Sequence, residues 1–153
     1  PRFAEPRRPF TDLEALVDVC REPGRRHVRL ARAALVDVRM GVASQREIRL
    51  RLEIVRAGLP EPRCDVLVHD VLGNPIGWFD LAYPQWRVLV EYDGEHHRTS
   101  TQQYERDQRR FELAAEAGWI TIRVRVAGLA PGPGLNDTLA RITRALRSRG
   151  WRP

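Results

Sequence analysis

The sequence predicts an α/β fold in which a mixed sheet is covered by helices and preceded by an extra N-terminal helical segment. Three observations predict it. Apolar residues recur at helical spacing over 13–20, 28–38, 48–55 and 139–146. Short β-forming runs bounded by turn signals lie at 66–69, 76–82, 86–92 and 119–126. Their order is helices, a three-stranded meander, then helix, strand and helix, which is the pattern of a helix-covered mixed sheet. With 153 residues, 42% hydrophobic and 30% charged, the chain is long enough to bury a core.

Residues 1–10 are rich in Pro and Arg and read as a tail or linker. Thr11-Asp12-Leu13-Glu14 is a capping box with Thr11 as N-cap, followed by Leu13, Leu16, Val17 and Cys20 on one helical face. Pro23-Gly24 breaks that helix, and Val28, Ala31, Leu35 and Val38 begin another register. Ser44-Gln45-Arg46-Glu47 is a second capping box, opening a helix whose apolar positions are Ile48, Leu52 and Val55 and whose stop signals are Gly58 and Pro60. The meander follows, with turns at Gly73-Asn74 and Tyr83-Pro84-Gln85. A polar helix over about 100–117 ends at Gly118. The strand 119–126 then sets Ile120, Ile122, Val124 and Val126 against Thr121, Arg123 and Arg125. After the Pro-Gly break at 130–134, Asn136 or Asp137 is the expected cap of a last helix carrying Leu139, Ile142 and Leu146. The expected division is residues 1–43 as tail and helical segment, the end of an upstream module, and 44–153 as the main domain.

The chain has no lysine: all 26 basic residues are arginine, and the formal charge is +6. A basic balance favours a polyanionic partner through counterion release. No signal peptide and no long apolar run is present, which predicts a cytoplasmic protein without a membrane partner. Cys20 and Cys64 form no CxxC spacing and are expected as reduced thiols. A chain beginning at Pro1 is expected to continue an upstream, DNA-binding domain.

The chemistry concentrates in Gly77-Trp78-Phe79-Asp80-Leu81 and Val90-Glu91-Tyr92-Asp93-Gly94-Glu95-His96-His97. Unpaired carboxylates are costly in a buried strand. Alternation turns Glu91 and Asp93 to one face, and the short turn between the strands makes Asp80 a cross-strand neighbour of Glu91. Three such carboxylates call for a hard cation, Mg²⁺ or Mn²⁺, with Asp80, Glu91 and Asp93 as its ligands.

These residues, together with Ser44–Glu47, Gly58-Leu59-Pro60, Asp107 with Arg110, and Gly118-Trp119 with Arg123, resemble the PD-(D/E)XK nuclease superfamily. The branch they resemble is the very-short-patch-repair (Vsr-like) endonucleases, over about residues 44–126. The resemblance implies a restriction-endonuclease-like mixed sheet and Mg²⁺-dependent hydrolysis of DNA. It implies Asp80 as the metal-binding aspartate, Glu91 as the acidic residue of the E-x-K-like element, and Glu47 as the acidic residue of the first core helix. Asp93 stands where the superfamily usually has lysine. His97 fits the histidine of the Vsr-like branch, as the group that activates water or protonates the leaving oxygen. Arg110, with Arg98 and Arg123, is the expected phosphate or DNA contact. A second class of function fits the same pattern: a non-catalytic DNA-binding regulator, or antitoxin-like protein, with a degenerate nuclease domain. Oligomeric state and sequence specificity are not legible.

Overall fold

The structure is a computed structural model and describes residues 12–22, 27–38, 44–94 and 101–153, the side chains of 101–103 excepted. The chain divides into two compact units, Pro1–Val42 and Ala43–Pro153. In the first, α1 (Leu13–Arg21) and α2 (Val28–Leu35) form an arginine-rich pair. The N-cap of α1 is Asp12, not Thr11: its carboxylate accepts the Ala15 N–H at 2.7 Å. A carboxylate caps better than a hydroxyl because it also meets the positive end of the helix dipole; Thr11 lies outside the described residues. Arg32 Nε donates to the Cys20 carbonyl at 2.8 Å, satisfying an orphan acceptor at the end of α1.

The second unit contains α3 (Gln45–Arg56), β1 (Arg63–His69), β2 (Pro75–Tyr83), β3 (Val88–Tyr92), α4 (Thr101–Glu116), β4 (Ile120–Val124) and α5 (Pro133–Ser148). The sheet order is β1-β2-β3-β4. The first two pairings are antiparallel, and β4 joins β3 in parallel after the α4 crossover. A mixed sheet flanked by helices is thus the observed α/β architecture. Among the described residues no helix is long and apolar enough to cross a membrane, and Cys20 and Cys64 form no disulfide.

Three expectations shift. Trp86 belongs to a 3-10 turn, Pro84–Trp86, and β3 begins only at Val88, because Arg87 adopts a left-handed backbone (φ 51°) that ends the turn. β4 stops at Val124, and the chain enters a second 3-10 turn at Val126–Leu129. The last helix starts at Pro133 with Gly132 as N-cap, before Asn136 and Asp137, because proline lacks only an N–H that the first turn leaves unbonded anyway.

On α3 the Ser44 hydroxyl accepts the Glu47 N–H at 3.2 Å, as the capping box requires. The buried face, however, is Leu50, Arg51 and Ile54, while Ile48 and Val55 are exposed. That stripe runs through positions 47, 50, 51 and 54, so Glu47 lies on the inward side. Arg51 is admitted to it by an ion pair with Glu61.

Helices cover both faces of the sheet. Leu81, Val90, Ile122 and Val124 pack with Leu50 and Ile54 of α3 and with Ile142 and Leu146 of α5. Val68, Ile76, Phe79 and Leu89 pack with Ala114 of α4. This sorting exposes a break in strand alternation. Phe79 and Leu81 are two residues apart yet serve opposite faces, and so do Val66 and Cys64 opposite them. Both flips fall on one rung, at Asp80 of β2 and Asp65 of β1, where Asp65 takes a left-handed backbone (φ 49°). Each strand carries a carboxylate, Asp80 or Asp65, at its flip, and each is half-buried.

The start of α5 is tightly seated: a Cβ at Gly134 would lie 2.1 Å from the Ala127 carbonyl oxygen. Gly134→Ala is therefore expected to lower stability by about 1–3 kcal/mol through overpacking, read as a fall in the denaturant midpoint. An unchanged midpoint would show that the second 3-10 turn yields freely.

Candidate active site

The rung that breaks the alternation continues across the sheet. The register Leu81↔Val90 sets Asp80 against Glu91, and Glu91 in turn faces Arg123 of β4. At this level the β2–β3 ladder is bridged by side chains. The Asp80 N–H donates to Glu91 Oε2 at 3.1 Å, and the Tyr92 N–H donates to Asp80 Oδ2 at 2.7 Å. The two carboxylates thereby satisfy two strand donors that a regular ladder would have paired with carbonyls.

Both carboxylates are largely out of water; Glu91 is only 8% exposed. Burial, the Glu91 charge and the Glu47 charge push Asp80 up to about 8, against a small pull from the Tyr92 N–H and Arg110. Burial raises Glu91 as well, and Arg110 pulls it back. Asp65 is raised by burial and then by Glu47. Four carboxylates, from α3, β1, β2 and β3, thus share one electrostatic neighbourhood.

Arg110 is the cation built into it. From α4 it donates to Glu91 Oε1 and to the Trp78 carbonyl, with its guanidinium 4.6 Å from the Phe79 ring centre and 5.1 Å from that of Phe111. Two rings and a carbonyl hold the planar cation in one place. Its stem lies on Gly77, where a Cβ would come within 2.9 Å of Arg110 Cδ. Gly77 thus makes room for the arginine that orients Glu91, which is a close backbone approach of the kind strand glycines mark.

The site residues expected from the sequence divide clearly. Asp80 and Glu91 meet directly, and Glu47 faces them from α3. Asp93 is directed elsewhere: Arg123 donates to its Oδ2 at 2.8 Å, and Arg125 Nε lies 3.6 Å from the same oxygen. Arg123 is further placed by Gln108 and by the Phe111 ring, 4.7 Å away. Arg110 bonds protein groups and acts as a positioning residue for Glu91. His97 and Arg98 lie outside the described residues. Asp65 and Gly77 were missed by sequence reasoning. A carboxylate interrupting the apolar run Cys64–Val68, and a glycine inside a strand, were the available signals.

Among the described residues no three His, Cys, Asp or Glu side chains are grouped to hold a metal ion on protein ligands alone. The donor chemistry of Asp80 and Glu91 nevertheless fits a hard divalent cation. Mg²⁺ is commonly held by one or two carboxylates, with water and substrate phosphate completing its shell. Asp93, tied to two arginines, does not join that pair.

No protein-family profile matches the chain, and no solved structure matches it. It is similar to an uncharacterized protein of Mycobacterium tuberculosis, in the versions from two strains. Each is 29% identical over 128 residues, covering 84% of this chain and 46% of the relative. The chain therefore spans about half the length of the curated relatives it matches.

The raised Asp80 carboxyl predicts a pH signature. Below its ordinary range it is neutral in both folded and unfolded chains. Between that range and about 8 the fold retains a proton that the unfolded chain releases, so stability falls as pH rises, and the penalty is complete above 8. Asp80→Asn keeps an acceptor for Tyr92 and removes the charge. In metal-free buffer its melting temperature is expected to exceed that of the parent by a margin that grows from pH 4 to pH 8, equivalent to at least about 1 kcal/mol at the upper end. A margin independent of pH would refute the buried, protonated Asp80.

Proposed function

We propose that this chain carries a Mg²⁺-dependent endonuclease domain of the Vsr-like PD-(D/E)XK kind, hydrolysing DNA phosphodiester bonds, with the mixed sheet as a restriction-endonuclease-like core. The observation that carries the reading is the Asp80–Glu91 rung: the half-buried Asp80 and the buried Glu91 face each other on adjacent strands, with Glu47 on the facing helix as a third carboxylate. For stability alone this is a poor arrangement, since apolar residues would seal the strands at lower cost. Groups with perturbed protonation gather where chemistry needs them.

A divalent cation, Mg²⁺ or Mn²⁺, held by Asp80 and Glu91 would lower the pKa of a bound water and draw charge from a phosphate oxygen. Asp80 must lose its proton to serve, and a cation bound beside it would favour that loss by opposing the burial that raises it. Arg110 fixes one oxygen of Glu91 and limits its rotation. Glu47 is the group on α3 able to hold the proton of an attacking water. His97, by the resemblance, would activate the water or protonate the leaving oxygen.

A second reading has its own observation. The ion pairs Glu91–Arg110 and Asp93–Arg123 already compensate two of the carboxylates, as they would in a DNA-binding regulator that keeps the fold without cutting. Calorimetric titration with Mg²⁺ or Mn²⁺ separates the two, since the regulator needs no cation at Asp80.

Incubated with plasmid DNA and Mg²⁺, the chain is expected to nick or linearise it, and Asp80→Asn and Glu91→Gln each to slow this at least about 100-fold. A variant that cuts at the parent rate over the same Mg²⁺ range would refute the assignment of its residue.

A further inference from the structure

We propose that two arginine-lined hollows, one on each side of the 3-10 turn Val126–Leu129, form a docking track for the phosphate backbone of a DNA duplex. The proposal rests on the DNA reading above and assigns it a surface. The larger hollow, about 460 Å³, lies between β4, the turn and α5, and takes Arg123, Arg125 and Arg141, with Thr138 and one acid, Asp137. The smaller, about 220 Å³, lies between α3 and the turn and takes Arg46, Arg49 and Tyr92.

Both hollows abut the carboxylate rung. Tyr92 in the smaller one donates its N–H to Asp80. Arg123 in the larger one faces Glu91 across β3 and β4. A polyanion lying over the turn therefore passes the rung.

Arg123 is paired with Asp93 at 2.8 Å, whereas Arg49, Arg141 and Arg46 are positioned by neutral groups. Arg49 Nη2 donates to the Leu129 carbonyl at 2.8 Å, and Arg141 Nη2 to the Arg123 carbonyl at 3.4 Å. Arg46 donates to the Tyr92 hydroxyl and lies 5.6 Å from the centre of its ring. A guanidinium has five N–H donors, so one bond to a carbonyl or hydroxyl orients it and leaves most of its donors and all of its charge for a ligand. Arg125 is 75% exposed, and its contact with Asp93 is long, at 3.6 Å. Planar guanidinium groups match phosphate oxygens in pairs. Two such hollows separated by a turn suit an anion that repeats along a chain better than a single small anion.

The test is binding of a fluorescein-labelled DNA duplex in EDTA, with every protein carrying Asp80→Asn so that cleavage plays no part. Arg125→Gln with Arg141→Gln, and separately Arg46→Gln, are expected to weaken binding roughly tenfold, and each lost phosphate contact to reduce the slope of log K against log salt by about 1. Arg109→Gln on α4, whose guanidinium lies against Glu112 and Glu116, is the control and should bind as the parent does. Matched melting curves verify that the variants fold, and Arg46→Gln, at an exposed position, stands in if Arg141→Gln does not. Unaltered affinity and slope in the arginine variants overturns the proposal. Failure of the parent to bind the duplex, or a melting shift with inorganic phosphate alone, does so too. Arginine-dependent binding without Mg²⁺-dependent cutting by the native chain would keep the track and remove the nuclease reading. Cutting with unaltered binding would do the reverse.

Discussion

Asp80 and Glu91 repel each other across β2 and β3, and each is drawn largely out of water, so the chain around them is arranged to make that repulsion tolerable. Each carboxylate takes the backbone donor that the interrupted ladder would leave unbonded. Asp80 retains a proton to unusually high pH. Arg110 supplies one positive charge where the pair is most buried. The flip in strand alternation at Asp65 and Asp80 falls on the same rung, where the apolar residues on either side go to opposite cores and the acids lie between them.

The support for Arg110 runs through residues that do no chemistry. Gly77 yields space for its stem, Phe79 and Phe111 take its cationic face, and the Trp78 carbonyl fixes its plane. Loss of any of these would loosen the hold of Arg110 on Glu91, and loss of Phe79 would also open the core in which it is buried. At the neighbouring rung Asp93 gives up its charge to Arg123 and Arg125, so the two acids of Glu91-Tyr92-Asp93 have different fates although they share a face. One remains with Asp80 as a candidate ligand. The other anchors the arginines at the edge of the larger hollow, which is the physical link between the candidate chemistry and the basic track.

Much of the fold was legible because it is written in local rules. The Ser44 cap, the meander turns and the α4 stop at Gly118 all follow from capping, turn chemistry and period. The inward face of α3 was not. Ile48, Leu52 and Val55 made an apolar stripe of their own, whereas the buried stripe contains Arg51, whose polarity disguised it. Only the pairing with Glu61 made that burial affordable. The start of α5 was misplaced for a related reason: Pro133 was read as a breaker, while the helix uses it as its first residue.

The sequence by itself determined which residues could do chemistry here and on which strands they sit. The pairing of Asp80 with Glu91 follows from a short turn and a period of two, which are local properties. Tertiary structure decided what those residues meet. It brought Glu47 round with the inward face of α3, set Asp65 opposite Asp80, and separated Asp93 from the pair by giving it to Arg123. It also gathered arginines from α3, β4 and α5 about one turn. Each of these depends on packing between elements distant in sequence, where burial and charge compensation, not periodicity, select the partner.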